Sequence, residues 1–85
     1  MKKIVVFGSK HCPDCAPARE YLTNLGIKFL YLDISENMFN LKKFLQYRDT
    51  KEEFAEIKKS GKVGIPCIVV NDGEEIIFDY KNFKG

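Results

Sequence analysis

Apolar residues along the first third of the chain predict a strand, a helix and a second strand. The run over residues 4–7 is rich in β-branched side chains and ends at Gly8, as expected of a strand covered on both faces. Apolar residues then recur mostly every three or four positions until Gly26, which is typical of a helix that ends at a glycine. Residues 27–33 predict a second strand, and the two strands of such a βαβ unit should run parallel.

The middle of the chain predicts further helix. Ser35 and Asn37 are candidate N-caps. The four apolar residues that follow them at helical spacing are Met38, Leu41, Phe44 and Leu45. Residues 48–50 interrupt this pattern, and Phe54 and Ile57 then continue a short apolar face. The pattern therefore indicates either two short helices or one helix kinked near residues 48–50.

The last third of the chain predicts a β-hairpin. Residues 65–70 are apolar and carry Pro66 near their start, where a strand tolerates a missing backbone donor. The Asn-Asp-Gly sequence at residues 71–73 is a turn signal, and residues 75–78 form the returning strand. With the βαβ unit, this hairpin makes an α/β protein with a four-stranded mixed sheet. The 85 residues contain no linker or repeat and predict a single domain over residues 1–85.

Composition and charge narrow the range of partners. The net charge is +2 with both signs interspersed, which gives no electrostatic case for nucleic acid or a membrane surface. The apolar start of the chain is too short for a secretion signal or a membrane span. Two of the 3 cysteines form a Cys-x-x-Cys motif, which fits thiol chemistry in a reducing cytoplasm better than a secreted disulfide framework. We expect a cytoplasmic protein that binds neither nucleic acid nor membrane, and we expect a monomer.

The Cys-x-x-Cys motif lies at residues 12–15, where the first predicted strand gives way to the first helix. Pro13 suits the first helical turn, because its missing N–H would have no partner there. Cys12 and Cys15 are three residues apart, so both sulfurs face one side of that turn. The free N–H groups and positive end of a helix stabilise a thiolate. We predict Cys12 as the exposed nucleophile and Cys15 as the resolving thiol, while the Asp14 carboxylate between them disfavours a second negative charge.

Five other side chains each have two interpretations. Lys10 either contacts an anion or is a solvated loop lysine, and His11 either modulates the thiolate or is an exposed loop residue. Cys67 is either a small buried hydrophobic residue on the third strand or a third thiol that accepts a disulfide or glutathione. Arg48 and Lys51 either face a substrate carboxylate or belong to a solvated helix face.

The order of elements, the motif at residues 12–15 and the Gly-Ile-Pro sequence at residues 64–66 resemble the thioredoxin superfamily and, within it, the glutaredoxins. The resemblance covers nearly the whole chain and implies a thioredoxin-like fold. It also implies a cis peptide bond before Pro66, beside the Cys12 sulfur. The backbone of Ile65 would then contact the peptide part of glutathione.

The long middle of the chain, with Arg-Asp-Thr at residues 48–50, resembles a short clostridial group of glutaredoxin-like proteins. Some members of that group carry selenocysteine at the position of Cys12. Asp14 replaces the tyrosine of the Cys-Pro-Tyr-Cys motif that is typical of glutaredoxins. Lys10 lies two residues before Cys12, whereas the glutathione-binding lysine of the family usually lies three residues before the first cysteine. The family's Gly-Gly-x-Asp-Asp motif is absent, and its nearest counterpart is Phe-Asp-Tyr around Asp79. The resemblance implies glutathione contacts from Lys10, Ile65, Pro66 and Asp79.

These features predict a dithiol thiol–disulfide oxidoreductase that reduces protein disulfides or glutathione mixed disulfides. Cys12 attacks the substrate and Cys15 resolves the mixed disulfide, with glutathione as co-substrate or a reductase as partner. Supporting roles are predicted for Pro13, Asp14 and Pro66. We predict no tightly bound cofactor and no metal site, because a structural zinc needs four ligands and only Cys67 and His11 remain. The alternative is a non-catalytic redox sensor or binding module on the same scaffold.

Overall fold

The predicted strands assemble into one four-stranded sheet in a computed structural model that describes residues 2–85. The sheet order is β2-β1-β3-β4, where the strands are β1 (Ile4–Gly8), β2 (Leu30–Asp33), β3 (Cys67–Val70) and β4 (Glu75–Ile77). β1 pairs parallel with β2 and antiparallel with β3, and β3 pairs antiparallel with β4. The structure therefore confirms both the βαβ unit and the mixed sheet with its terminal hairpin.

The pairing register brings three chain segments to one edge of the sheet. Gly8 at the end of β1 pairs with Asp33 at the end of β2. Phe7 pairs with Cys67 at the start of β3. Since the carboxyl ends of two parallel strands share an edge with the start of the antiparallel one, the segments that follow β1 and β2 and precede β3 meet there.

The middle of the chain forms two separate helices, as one of the two interpretations predicted. The helices of the structure are α1 (Cys15–Asn24), α2 (Met38–Thr50) and α3 (Ala55–Lys59), with a 3₁₀ turn at Glu52–Phe54. The Asn37 side chain caps α2 by accepting the backbone N–H of Asn40, which confirms one of the two candidate caps. Extended backbone at Lys51 ends α2 and separates it from the turn that follows.

The first helix begins later than the sequence pattern suggests. Cys15 is its first residue and Asp14 its N-cap, so the prediction that Pro13 lies in the first helical turn is wrong. The Cys15 N–H donates to the Cys12 carbonyl over 3.3 Å, which closes a tight turn across the motif before the helix starts. Gly26, with φ 76°, lies just past the C-cap and ends the helix as predicted.

Both faces of the sheet are covered, which explains the continuous apolar strands. Alternate strand residues face opposite sides, and each side has its own core cluster. The cluster that contains an α2 residue consists of Val5, Phe7, Phe44, Phe54, Cys67, Val69 and Ile76. The cluster that contains an α1 residue consists of Ile4, Val6, Leu22, Ile68, Val70 and Phe83. No helix within residues 2–85 has the length and apolar character that crossing a membrane requires.

Candidate active site

The loop between β1 and α1 is braced from its interior by one buried serine. Ser9 is only 7% exposed, and its carbonyl accepts the N–H of Cys12 at 3.1 Å. Its hydroxyl oxygen accepts the N–H of His11 at 3.1 Å and lies 2.9 Å from the hydroxyl oxygen of Ser35. The loop that carries Cys12 is thus tied to the segment that follows β2.

Asp33 adds a second tie between the same two segments. One carboxylate oxygen accepts the backbone N–H of Lys10 at 3.0 Å, and the other accepts the backbone N–H of Ser35 at 2.8 Å and the Ser35 hydroxyl. Hydrogen bonds from Ser35 and Lys10 hold the pKa of the Asp33 carboxyl below its usual range. Sequence reasoning missed Ser9, Asp33 and Ser35, although polar residues at the ends of two parallel strands were the available signal.

The two cysteines of the motif differ sharply in exposure. Cys12 is half-buried and Cys15 is 0% exposed, and both are free thiols. Burial, and secondarily a hydrogen bond with Cys12, raises the pKa of Cys15 to about 12. Cys15 therefore stays protonated at neutral pH, and Cys12 is the accessible sulfur of the pair, as predicted.

The segment before β3 faces the accessible sulfur. A cis peptide bond joins Ile65 and Pro66, as the family resemblance implied. The Cys12 Sγ lies 3.8 Å from the Ile65 carbonyl oxygen. This contact brings Cys12 and the cis-proline segment into one site.

Arg48 holds this segment in place from the end of α2. Its Nε donates to the Val63 carbonyl at 3.0 Å, and its Nη2 donates to the Lys62 carbonyl at 2.7 Å. The guanidinium thus donates hydrogen bonds to two successive backbone carbonyls in the segment that leads to Ile65. Neither interpretation of Arg48 from the sequence was right, because the side chain spans two segments that are remote along the chain.

We expect Arg48→Gln to lower the free energy of unfolding by about 1–2 kcal/mol. This is the lower part of the range for charge-assisted hydrogen bonds, because the Arg48 side chain is half exposed. The loop before Ile65 should loosen, so reaction of Cys12 with a disulfide should also slow. Urea unfolding and the stopped-flow rate of disulfide reduction measure the two effects. Lys42→Gln on the exposed face of α2 is the matched control, and an equal change in both variants would contradict this role.

Three grooves of similar volume meet at Cys12, and two of them share no other lining residue. The cis-proline groove, of about 450 Å³, is lined among others by Pro13, Ile65, Pro66 and Tyr80. The α1 groove, of about 490 Å³, is lined among others by Lys10, Arg19, Tyr31 and Asp33. The third groove, of about 440 Å³, is lined among others by Cys12, His11 and Val63.

The residues for which the resemblance implied glutathione contacts are thus distributed over different places. Ile65 and Pro66 line the cis-proline groove, together with Asp14. Lys10 lines the α1 groove on another side of Cys12. The Asp79 carboxylate caps the short turn at Tyr80–Asn82 by accepting the backbone N–H of Lys81 at 3.3 Å, while its neighbour Tyr80 lines the cis-proline groove.

Cys67 lies behind the site and outside its chemistry. It is 0% exposed and packs in the cluster with Phe7 and Phe54, on the face of the sheet away from α1. Burial raises its pKa to about 12. The interpretation of Cys67 as a small buried hydrophobic residue is therefore the one that fits the structure.

We expect Cys67→Ala to leave the rate of disulfide reduction within about twofold and to lower the free energy of unfolding by about 1 kcal/mol, because the lost sulfur leaves a small void. A strong defect in that rate would overturn the assignment of Cys67 as a buried hydrophobic residue.

The burial of Cys67 also predicts a dependence of stability on pH. A cysteine in the unfolded chain titrates at about pH 8.5. The unfolded chain therefore releases this proton before the folded one, and the free energy of unfolding should fall between about pH 9 and 12. In urea titrations over that pH range, the free energy of unfolding of Cys67→Ala should fall less steeply than that of the wild type. Equal slopes for the two proteins would contradict the raised pKa of Cys67.

Two solved structures are similar to this chain. The crystal structure of a glutaredoxin from Methanosarcina mazei superimposes with a TM-score of 0.63 at 22% identity, over 88% of this chain and 65% of that one. A mutant thioredoxin-like protein gives a TM-score of 0.59 at 22% identity, over 95% of this chain and 88% of its own. At these identities the likeness shows the fold alone. With the Cys-x-x-Cys turn and the cis-proline beside it, this fold places the chain in the thioredoxin-like fold class.

The glutaredoxin family model matches residues 4–76. The chain belongs to the glutaredoxin family. An uncharacterized protein of Haemophilus influenzae is 33% identical over 84 residues, which cover 99% of this chain and 96% of that protein. Family membership agrees with the sequence resemblance and supports a thiol redox function.

Proposed function

We propose that this protein is a dithiol thiol–disulfide oxidoreductase of the cytoplasm, in which Cys12 and Cys15 are the reacting residues. The observation that carries the proposal is the pairing of a half-buried sulfur, Cys12 in the loop after β1, with a fully buried, protonated one, Cys15 at the start of α1. Exchange needs a thiolate to attack a disulfide sulfur, so the accessible Cys12 acts first. Cys15 acts only once a mixed disulfide has brought an electrophilic sulfur to it.

The proposed reaction has two exchange steps. The Cys12 thiolate attacks a substrate R–S–S–R′, forms Cys12–S–S–R and releases R′–S⁻, which takes up a proton. Cys15 then loses its proton to solvent and attacks the Cys12 sulfur, which forms the Cys12–Cys15 disulfide and releases R–S⁻. Two thiols from an external donor reduce this disulfide and are themselves oxidised to a disulfide.

Glutathione is the proposed co-substrate, and the cis-proline groove is its proposed binding site. The groove starts at Cys12 and presents the backbone of Ile65 next to Pro66. Tyr80 and Lys62 at its walls offer polar and charged contacts to a peptide with two carboxylates. Asp14 lies in the same groove. Because its carboxylate repels another carboxylate, glutathione should bind with its own carboxylates directed away from Asp14.

The test is steady-state reduction of a glutathione mixed disulfide with glutathione and glutathione reductase, run in parallel with an assay coupled to thioredoxin reductase. We expect turnover in the first assay. Turnover only in the assay coupled to thioredoxin reductase would support the dithiol exchange but would show that glutathione is not the reductant. A single stoichiometric oxidation without turnover in either assay would overturn the enzyme in favour of a redox sensor.

A further inference from the structure

The α1 groove has a cationic residue that the proposed exchange leaves unused. From Cys12 the groove follows one face of α1, past Ala16, Arg19 and Thr23 at helical spacing. The Arg19 guanidinium carbon lies 4.3 Å above the centre of the Tyr31 ring. Stacking of this kind fixes the guanidinium plane while its N–H donors stay available.

Tyr31 is itself fixed by the backbone at the end of β1. A Cβ atom at Gly8 would collide with the Tyr31 hydroxyl and ring, so the phenol lies directly against the glycine. Gly8 is the last residue of β1 and stands one residue before Ser9 of the motif loop. The stack of Arg19 on Tyr31 therefore lies against the end of β1, from which the loop that carries Cys12 begins.

The charges in this groove favour an anionic group near Arg19. Among residues 2–85, the one ion pair within 4.0 Å joins Lys3 and Asp72, so Arg19 and Lys10 are both without a salt-bridge partner there. Asp33 lines the groove too, but its carboxylate already accepts hydrogen bonds from Ser35 and Lys10. Glu20 also lines the groove, but its carboxylate is not within 4.0 Å of the Arg19 guanidinium, which therefore stays free to pair with the anionic group of a ligand.

We propose that the α1 groove binds a carboxylate of the disulfide substrate and that Arg19 is the residue that selects for it. This inference rests on the proposed exchange at Cys12. In that exchange the attacking and leaving sulfurs lie on opposite sides of the sulfur under attack, so the two halves of R–S–S–R′ need separate space. The cis-proline groove holds the R half, and the α1 groove holds the R′ half, which departs as R′–S⁻ with its carboxylate still facing Arg19.

The experiment compares two aliphatic disulfides that differ in charge. Reduced protein is mixed with 3,3′-dithiodipropionate, which carries carboxylates, or with bis(2-hydroxyethyl) disulfide, which is neutral, and the second-order rate constants are measured. We expect Arg19→Gln to slow the reaction with dithiodipropionate about fivefold to tenfold and to leave the neutral disulfide within about twofold. Arg19→Lys keeps the charge and should retain most of the rate. The difference should shrink in high salt.

Lys28→Gln removes an exposed positive charge outside both grooves and is the matched control, expected to leave both rate constants unchanged. Equal slowing of Arg19→Gln with both disulfides would show that Arg19 acts on Cys12 or on the fold, and would overturn the proposed selectivity. Unchanged rates with both would overturn it as well. Wild-type protein that reacts with neither disulfide would instead refute the thiol exchange itself, so the two failures are distinguishable.

Discussion

We expect Cys12→Ser to lower the steady-state rate of disulfide reduction by about a hundredfold or more, because this variant lacks the sulfur that is proposed to form the mixed disulfide. A serine hydroxyl is not ionised at neutral pH, and it cannot form a disulfide. Cys15 does not replace the missing nucleophile, since it is 0% exposed and its pKa is raised to about 12. The glutathione-coupled assay measures the loss directly.

The control for Cys12→Ser is Cys67→Ala, which also removes one thiol and leaves the exposed sulfur in place. Cys12 is half-buried and its carbonyl and N–H bonds are made by the backbone, so the serine variant should fold with an almost unchanged melting temperature. Turnover that persists in Cys12→Ser would place the nucleophile elsewhere. Alkylation of intact protein under native conditions gives an independent readout: one thiol should react quickly in the wild type and none in Cys12→Ser.

Cys15→Ser separates the two reactions that the dithiol site is proposed to perform. The variant still forms Cys12–S–S–R, but it has no internal thiol to release R–S⁻. We expect reduction of a protein disulfide to fall by about fiftyfold or more, while an external thiol such as glutathione still resolves a small mixed disulfide at a substantial fraction of the wild-type rate. Mass spectrometry should detect the trapped mixed disulfide in the variant.

A buried hydroxyl in place of the Cys15 thiol carries its own stability cost, since the site was shaped for a thiol with no exposed surface. Cys15→Ala is the second variant, because it removes the thiol without adding a polar group. Both variants should show the same split between the two assays despite different melting temperatures. Equal loss in both assays would contradict the division of labour between Cys12 and Cys15.

Much of the fold follows from periodicities that are local in the sequence. The apolar run rich in β-branched residues at 4–7 and the apolar runs on either side of the turn at 71–73 specify strands, and the three- and four-residue spacing before Gly26 specifies α1. The sequence predicts too early a start for α1, because a proline in a first helical turn and a proline in a tight turn before a helix look alike in sequence. The hydrogen bond between the Cys15 N–H and the Cys12 carbonyl distinguishes the two.

The cysteine motif of the site could also be predicted from the sequence, because two cysteines three residues apart after a strand form a local pattern. The contacts around the motif could not be predicted in this way. Ser35 braces Ser9 from 26 residues away, and Arg48 reaches the Val63 carbonyl across 15 residues, so no local pattern contains either contact. Such contacts exist only once the sheet register has brought their segments to one edge.

The sequence by itself determined the order of helices and strands, the placement of Cys12 and Cys15 between the first strand and the first helix, and the buried character of the third strand, since each depends on neighbours within a few residues. The tertiary structure alone decided which polar side chains face the Cys12 sulfur. It places Lys10 in the α1 groove and Ile65 in the cis-proline groove, and it adds Arg19, which the sequence had not marked. The physical reason is that a groove is formed by residues far apart in the chain, whose distances are fixed only when the sheet and its two cores are packed.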